Sequence, residues 1–429
     1  MRMSSIPRFI RVYVGLSLFV AAFATRANAQ EIDGVQPAAI DQPRVNVAIR
    51  RTIHGDPLVT TAAGQASFNV EAFLDTGAGS VLIATNTATN LGMKREAATG
   101  NPPEARFNDV GVGGESQFAI SEPLCLSIAP CTPNAAIDDK ATMDMVYNQS
   151  AGPFRTEIGP LGAASGLMSL LTGDLDVVGM PAMQGKIVVM DMADANKMTD
   201  KIRTYVYDAK AIATASPPIP KTTRHVQLSY ATFARFTTTT PASAQGPAIA
   251  ANPFIGPNPL KPAGDHATPM VVMHGGKRSS GSWLLDTGAV ASMISRTQAQ
   301  ALGVSYKPGT YGTDSPELIG PGTDKQFTLA VGGIGGAAKS AGFYIDRLVV
   351  PTREGKPIIF LHAPMLVADI TVKDSTNGQS YTLDGVFGMN FLVASAKIEG
   401  GLLPDITSMS AGAFRWIVFD QPAGVLGFD

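Results

Sequence analysis

The pentapeptide LDTGA occurs twice in this 429-residue chain, at Leu74–Ala78 and Leu285–Ala289. No other feature constrains the fold as much, because the likeness runs past the pentapeptide. Aligned without gaps, Leu74–Met93 and Leu285–Val304 share nine identities in twenty positions: the motif itself, Ile83/Ile294, Ala88/Ala299, Leu91/Leu302 and Gly92/Gly303. Self-similarity at a fixed offset means that one supersecondary unit has been used twice.

Both copies read alike locally. An apolar strand enters (FNVEAFLD, GSWLLD), DTGA turns, and a second short apolar strand follows (VLIA, SMIS). A short helix comes next, clearest in RTQAQALG, where Gly303 sits at the position of a left-handed C-terminal cap. Further on, LDVVGM at 175–180 matches LDGVFGM at 383–389 with one inserted Gly. Asp75 precedes Gly179 by 104 residues, and Asp286 precedes Gly388 by 102. Each copy then reaches a strand ending in Asp, KIVVMD at 186–191 and RWIVFD at 415–420.

The chain is thereby expected to be mainly β: two similar barrel-like lobes around a central cleft, with few short helices. With 44 Gly and 30 Pro, composition favours strands and turns. The expected division is 1–29 leader, 30–200 first lobe, 201–268 inter-lobe connector and 269–429 second lobe. The connector includes a strand-like HVQLSYATFARF at 225–236 and seven prolines between Pro241 and Pro269.

Residues 1–29 carry Arg2, Arg8 and Arg11, an apolar run at 12–24 and small residues at 27–29, the pattern of a secretory signal peptide. The mature chain is expected to be exported, periplasmic or secreted, with no other membrane span. Without the four arginines of the leader, 29 basic and 35 acidic side chains leave a net charge of −6. That balance argues against nucleic acid or an anionic membrane as the main partner. Cys125 and Cys131, in CLSIAPC, are a disulfide candidate in an oxidising compartment. The five histidines are scattered and no ligand spacing surrounds the cysteines, so neither a metal nor another cofactor is expected.

Asp75 and Asp286 each follow an apolar strand, which shields their carboxyl groups from water. One such Asp is an ordinary turn residue. Two brought together cannot both ionise easily, and the pair keeps one proton over a range of pH. Its ionised member can take a proton from water while its protonated member donates to a carbonyl oxygen. There is no GxSxG, no HExxH and no interpretable His beside a nucleophile.

With these motifs the chain resembles the bilobal, pepsin-like aspartic proteases, its DTGA flavour being closer to retroviral and bacterial retropepsin-like members. The resemblance covers about residues 45–191 and 269–429. It implies that Asp75 and Asp286 hold the attacking water, that Thr76 and Thr287 lock the two turns together, and that Gly77 and Gly288 admit the backbone close to the carboxylates. It implies that Val178–Gly179 and Phe387–Gly388 support the turns from below. It also implies a flap, for which VGVGGES (110–116; Gly113, Gly114) and VGGIGGAAKSAG (331–342; Ile334, Gly335) are candidates. Neither offers the aromatic flap residue of pepsin. The reaction implied is hydrolysis of an extended peptide or unfolded protein, by a monomer and without an acyl-enzyme. The alternative is a non-catalytic peptide-binding protein that keeps the cleft. Ala78 and Ala289 stand where pepsin has Ser or Thr, and losing those hydroxyls is expected to raise the working pH. Residues 30–44 contain one Arg and three acids, unlike a basic inhibitory prosegment.

Overall fold

The computed structural model describes residues 29–59, 69–97, 104–129, 140–159, 176–192, 202–228, 270–281, 283–373, 380–399 and 405–429. The expected leader (save residue 29), Cys131 and the proline-rich part of the connector lie outside these ranges. Among the described residues the chain is mainly β, with a few helices of seven residues or fewer.

Two nine-stranded sheets carry the two copies of the repeat. In the first, Val70–Leu74 runs parallel to Asp176–Val178, pairing Leu74 with Val178. In the second, Trp283–Leu285 runs parallel to Gly385–Phe387, pairing Leu285 with Phe387. The short strand after each turn, Leu82–Ala84 or Met293–Ile294, lies antiparallel on the other side of the same partner. It is also parallel to a further strand, Glu157–Gly159 in one lobe and Ile358–Val367 in the other. Each DTGA turn therefore links two antiparallel strands that flank one central strand, in the same register in both lobes. The helices expected after the turns form at Thr85–Asn90 and Arg296–Ala301. The second is capped by Ser295, whose hydroxyl accepts the Gln298 N–H, and its exit residue Gly303 has φ +88°.

A five-stranded sheet joins the lobes, in the order Arg203–Asp208, Lys186–Asp191, Trp416–Asp420, Val425–Phe428, Arg224–Gln227. The two strands that end in Asp, matched in sequence across the repeat, pair directly and antiparallel, Val189 facing Val418. Two strands of this sheet come from the segment expected to be a connector, so residues 203–227 belong to the joint between the lobes. Buried Val188, Met190, Ile417, Phe419 and Phe428 link it to one continuous apolar core that includes residues of both lobes.

Residues 30–39 also depart from the expected division. Gln30–Ile32 adds a parallel strand to Ile358–Phe360, and Ala38–Ala39 pairs with Ser395 and Ala396. The start of the first lobe in sequence is thus part of the second lobe's sheets. Cys125 is buried in Leu124–Ala129 and has no disulfide partner among the described residues, its candidate partner Cys131 lying outside them; burial raises its pKa. No helix among the described residues is long and apolar enough to cross a membrane.

Candidate active site

The two turns meet. Thr76 and Thr287, 2 % and 1 % exposed, form a reciprocal lattice between the lobes. The Thr76 N–H donates to Thr287 Oγ1 at 3.0 Å, and the Thr287 N–H to Thr76 Oγ1 at 3.1 Å. Each hydroxyl then donates across to the strand that enters the opposite turn: Thr76 Oγ1 to the Leu285 carbonyl at 2.9 Å, Thr287 Oγ1 to the Leu74 carbonyl at 2.5 Å. Four buried hydrogen bonds connect residues more than two hundred positions apart, and each hydroxyl both accepts and donates.

This lattice brings the carboxyl groups of Asp75 and Asp286 into hydrogen-bonding contact with each other. The glycines make the approach possible. A Cβ built on Gly77 would lie 2.5 Å from Asp286 Cγ, and one on Gly288 would lie 2.3 Å from Asp75 Oδ2. Any side chain at either position would occupy the space of the opposite carboxylate.

Backbone donors hold each acid from its own turn. Asp75 Oδ1 accepts the Gly77 N–H at 2.7 Å and the Ala78 N–H at 3.1 Å. Asp286 Oδ1 accepts the Gly288 N–H at 2.9 Å. Both residues keep partial access to solvent, yet protein crowds their carboxyl groups. Burial raises the pKa of Asp75, opposed by hydrogen bonds from Asp286 and from backbone N–H groups. Asp286 is pushed well above the ordinary carboxylate range by burial and then by the charge of Asp75. The pair thus retains a proton where isolated acids have lost theirs, and it titrates as a unit.

The segments beneath the turns are bonded alike. The Asp75 N–H donates to the Val178 carbonyl at 3.0 Å and the Asp286 N–H to the Phe387 carbonyl at 3.1 Å. Just past each supporting glycine, the Met180 N–H reaches the Ala78 carbonyl at 3.0 Å and the Met389 N–H reaches the Ala289 carbonyl at 2.8 Å. Val178–Gly179 and Phe387–Gly388 therefore clamp both ends of the DTGA turns.

Sequence reading missed polar residues that brace this arrangement. In the second lobe Ser292 accepts the Gly388 N–H at 2.9 Å and donates to Asn390 at 2.7 Å. In the first, Ser80 donates to the buried Glu157 at 2.6 Å, and Asp176 accepts the Ala84 N–H and the Thr87 hydroxyl at the start of the helix. Comparing the repeats position by position flags Ser80, which aligns with Ala291, and Ser292, which aligns with Val81.

Both flap candidates are β-hairpins of the same design. Arg106–Gly111 pairs with Gly114–Ile120 around Val112–Gly113, and Phe327–Gly333 pairs with Gly336–Val350 around Ile334–Gly335. Their tips touch: the Gly113 N–H donates to the Ile334 carbonyl at 3.0 Å. A Cβ on Gly113 would lie 2.5 Å from the Gly335 carbonyl carbon, so the tips meet backbone to backbone. Leu329 and Val331 of the second hairpin, and Val112 of the first, share an apolar cluster with Ala289, Val290 and Ala291 at the end of the second DTGA turn and just after it. All four flap candidates thus fall at a single junction of two hairpins.

A separate cavity of about 220 Å³, lined by Arg296, Tyr306, Lys307 and Tyr311, lies on the second lobe. None of the dyad residues lines it, and its cations are paired, Arg296 with Asp369 and Lys307 with Glu317. Among the described residues no cluster of His, Cys, Asp and Glu is grouped to hold a metal ion. No protein-family model matches the chain, and no curated protein matches it.

Proposed function

We propose that the chain is an aspartic endopeptidase that hydrolyses peptide bonds with a water held between Asp75 and Asp286. The observation that carries this reading is the packing of each turn's carboxyl group against the glycine of the opposite turn across a pseudo-twofold junction, with the Thr76–Thr287 lattice beneath it. The resemblance of both DTGA lobes to bilobal aspartic proteases points the same way.

Asp75 accepts N–H donors from Gly77 and Ala78, Asp286 accepts one from Gly288, and the pair holds one proton as a unit. The ionised carboxylate takes a proton from water as the water oxygen bonds to the scissile carbonyl carbon. The protonated carboxyl donates to the carbonyl oxygen, giving a neutral tetrahedral diol. Proton transfer to the amide nitrogen then lets the C–N bond break, and the dyad regains its single proton. No side chain becomes covalently attached.

The two hairpins suit an extended segment of polypeptide, covering it from both lobes. The same reading has the chain act as an exported monomer, since one polypeptide supplies both acids. The test is digestion of a peptide library with the wild-type protein and Asp286→Asn in parallel across pH, with products identified by mass spectrometry. Cleavage lost in the variant supports the protease; ligand binding without cleavage in either protein supports the peptide-binding alternative.

A further inference from the structure

The two hairpins that meet at their tips are built to one pattern, yet their inner faces differ by a charge. Val112 and Ile334 hold the same place at the two tips. A Cβ on Gly333 would lie 2.9 Å from Val112 Cγ1, and one on Gly111 would lie 2.8 Å from Ile334 Cβ. Each tip residue thus rests on the glycine that precedes the other, and this reciprocity fixes which positions correspond. Counting back from the tips, Asp109 matches Val331 and Phe107 matches Leu329. Across each hairpin, Asp109 pairs with Ser116 and Val331 with Ala338.

Side chains alternate along a strand, so these positions share one face of each hairpin. In the second hairpin that face is apolar and turned inward. Leu329 and Val331 are buried against the cluster that includes Ala289 and Val290, while their neighbours Thr328 and Ala330 are exposed. In the first hairpin Asp109 is only 9 % exposed, and Phe107 packs on buried Ala105 and Ile120. The opposite face carries Asn108, Glu115 and Gln117, exposed and joined by side-chain hydrogen bonds. Asp109 therefore stands on the inner face, where the other lobe has a valine, and its Oδ1 accepts the Val110 N–H at 2.8 Å. Arg106, Glu115 and Lys339 belong to the outer faces, where Arg106 pairs with Glu104 and Lys339 lies 3.7 Å from Asp314.

We infer that Asp109 makes the first lobe's half of the cleft roof select a basic side chain, Lys or Arg, on one side of the scissile bond, while Val331 gives the matching place on the other side to an apolar one. The inference rests on the protease reading of the cleft. A carboxylate shielded from bulk water attracts a cation more strongly than an exposed one does. An apolar side chain laid against it would strip its water and return nothing. Attraction of the right side chain and rejection of the wrong one act together.

The test starts from a peptide-library digest, whose products locate the position where Lys and Arg are enriched. The absence of any such position overturns the inference. Two peptides that differ only there, Lys against norleucine, are then compared by kcat/KM, and by Kd in the Asp286→Asn background. Wild type is expected to favour Lys by about tenfold or more. Asp109→Asn should bring that ratio near one, Asp109→Glu should keep a preference, and Val331→Asp should add a basic preference on the opposite side of the cleaved bond. A ratio that survives Asp109→Asn, with both peptides weakened alike, would show a structural role only and overturn the inference. Should Asp109→Asn fail to fold, Asp109→Ser is read in the same way. Cleavage without preference for Lys leaves the protease reading standing alone. Tighter binding of the Lys peptide that depends on Asp109, in a protein that cleaves nothing, sinks the protease reading and keeps Asp109 as the selector. Neither binding nor cleavage sinks both.

Discussion

Gly77 of the first lobe lies directly against the Asp286 carboxyl of the second, so close that a Cβ would sit 2.5 Å from Cγ. Gly288 stands in the same relation to Asp75. Each acid is completed by the other lobe's glycine, which ties the chemistry of the site to the joining of the lobes.

Thr76→Ala and Thr287→Ala should each weaken that joint. Either change removes two buried cross-lobe bonds and leaves partners unsatisfied, for a loss of about 2–4 kcal/mol. Ser in place of Thr keeps the hydroxyl and should recover most of it. Urea midpoints for the four variants measure this; an Ala variant as stable as wild type would contradict the lattice.

Stability should also depend on the dyad's ionisation. Asp286 binds its proton more tightly folded than unfolded, so its contribution is fully present below the unfolded value, near the usual carboxylate pKa, and is lost as pH rises through the folded value. Asp286→Asn cannot ionise. We expect its thermal midpoint to gain on wild type as pH rises from acid to neutral, with the gap closing below about pH 4. A gap independent of pH would mean that burial does not hold the proton there.

The working pH follows from the same groups. With alanine at 78 and 289, no hydroxyl at those positions lowers the carboxyl pKa values. Activity should therefore peak in weakly acid to neutral solution, and Ala289→Ser should bring the basic limb down by roughly half a pH unit. A maximum near about pH 2–3, where pepsin-type dyads work, would count against this.

The hairpin tips offer a separate handle on substrate capture. Gly113→Val places a side chain where the Gly335 backbone lies and should force the tips apart. We expect kcat/KM for long peptides to fall about tenfold, with stability changing by less than about 1 kcal/mol. Equal losses for short and long substrates would separate the tips from substrate binding.

Much of this site was legible in sequence because its signals are local and occur twice. The strand–DTGA–strand–helix order, the Gly303 cap and the Val178–Gly179 and Phe387–Gly388 supports all depend on short stretches whose pattern the repeat doubles. What escaped depends on partners far away. Gln30–Ile32 pairs with residues more than three hundred positions on, and three residues carry no pairing signal. Arg203–Asp208 reads as connector because the strand that receives it, Lys186–Asp191, gains its other neighbour only from the end of the chain.

The central claim is that the two acids act as one device, and a cycle of variants tests it most directly. Single-turnover cleavage of one peptide should be measured for wild type, Asp75→Asn, Asp286→Asn and the double variant. If one water is shared, each single change should cost at least about a thousandfold and the double variant scarcely more. A single variant that keeps a sizeable fraction of the rate, or losses that multiply in the double variant, would contradict a shared dyad.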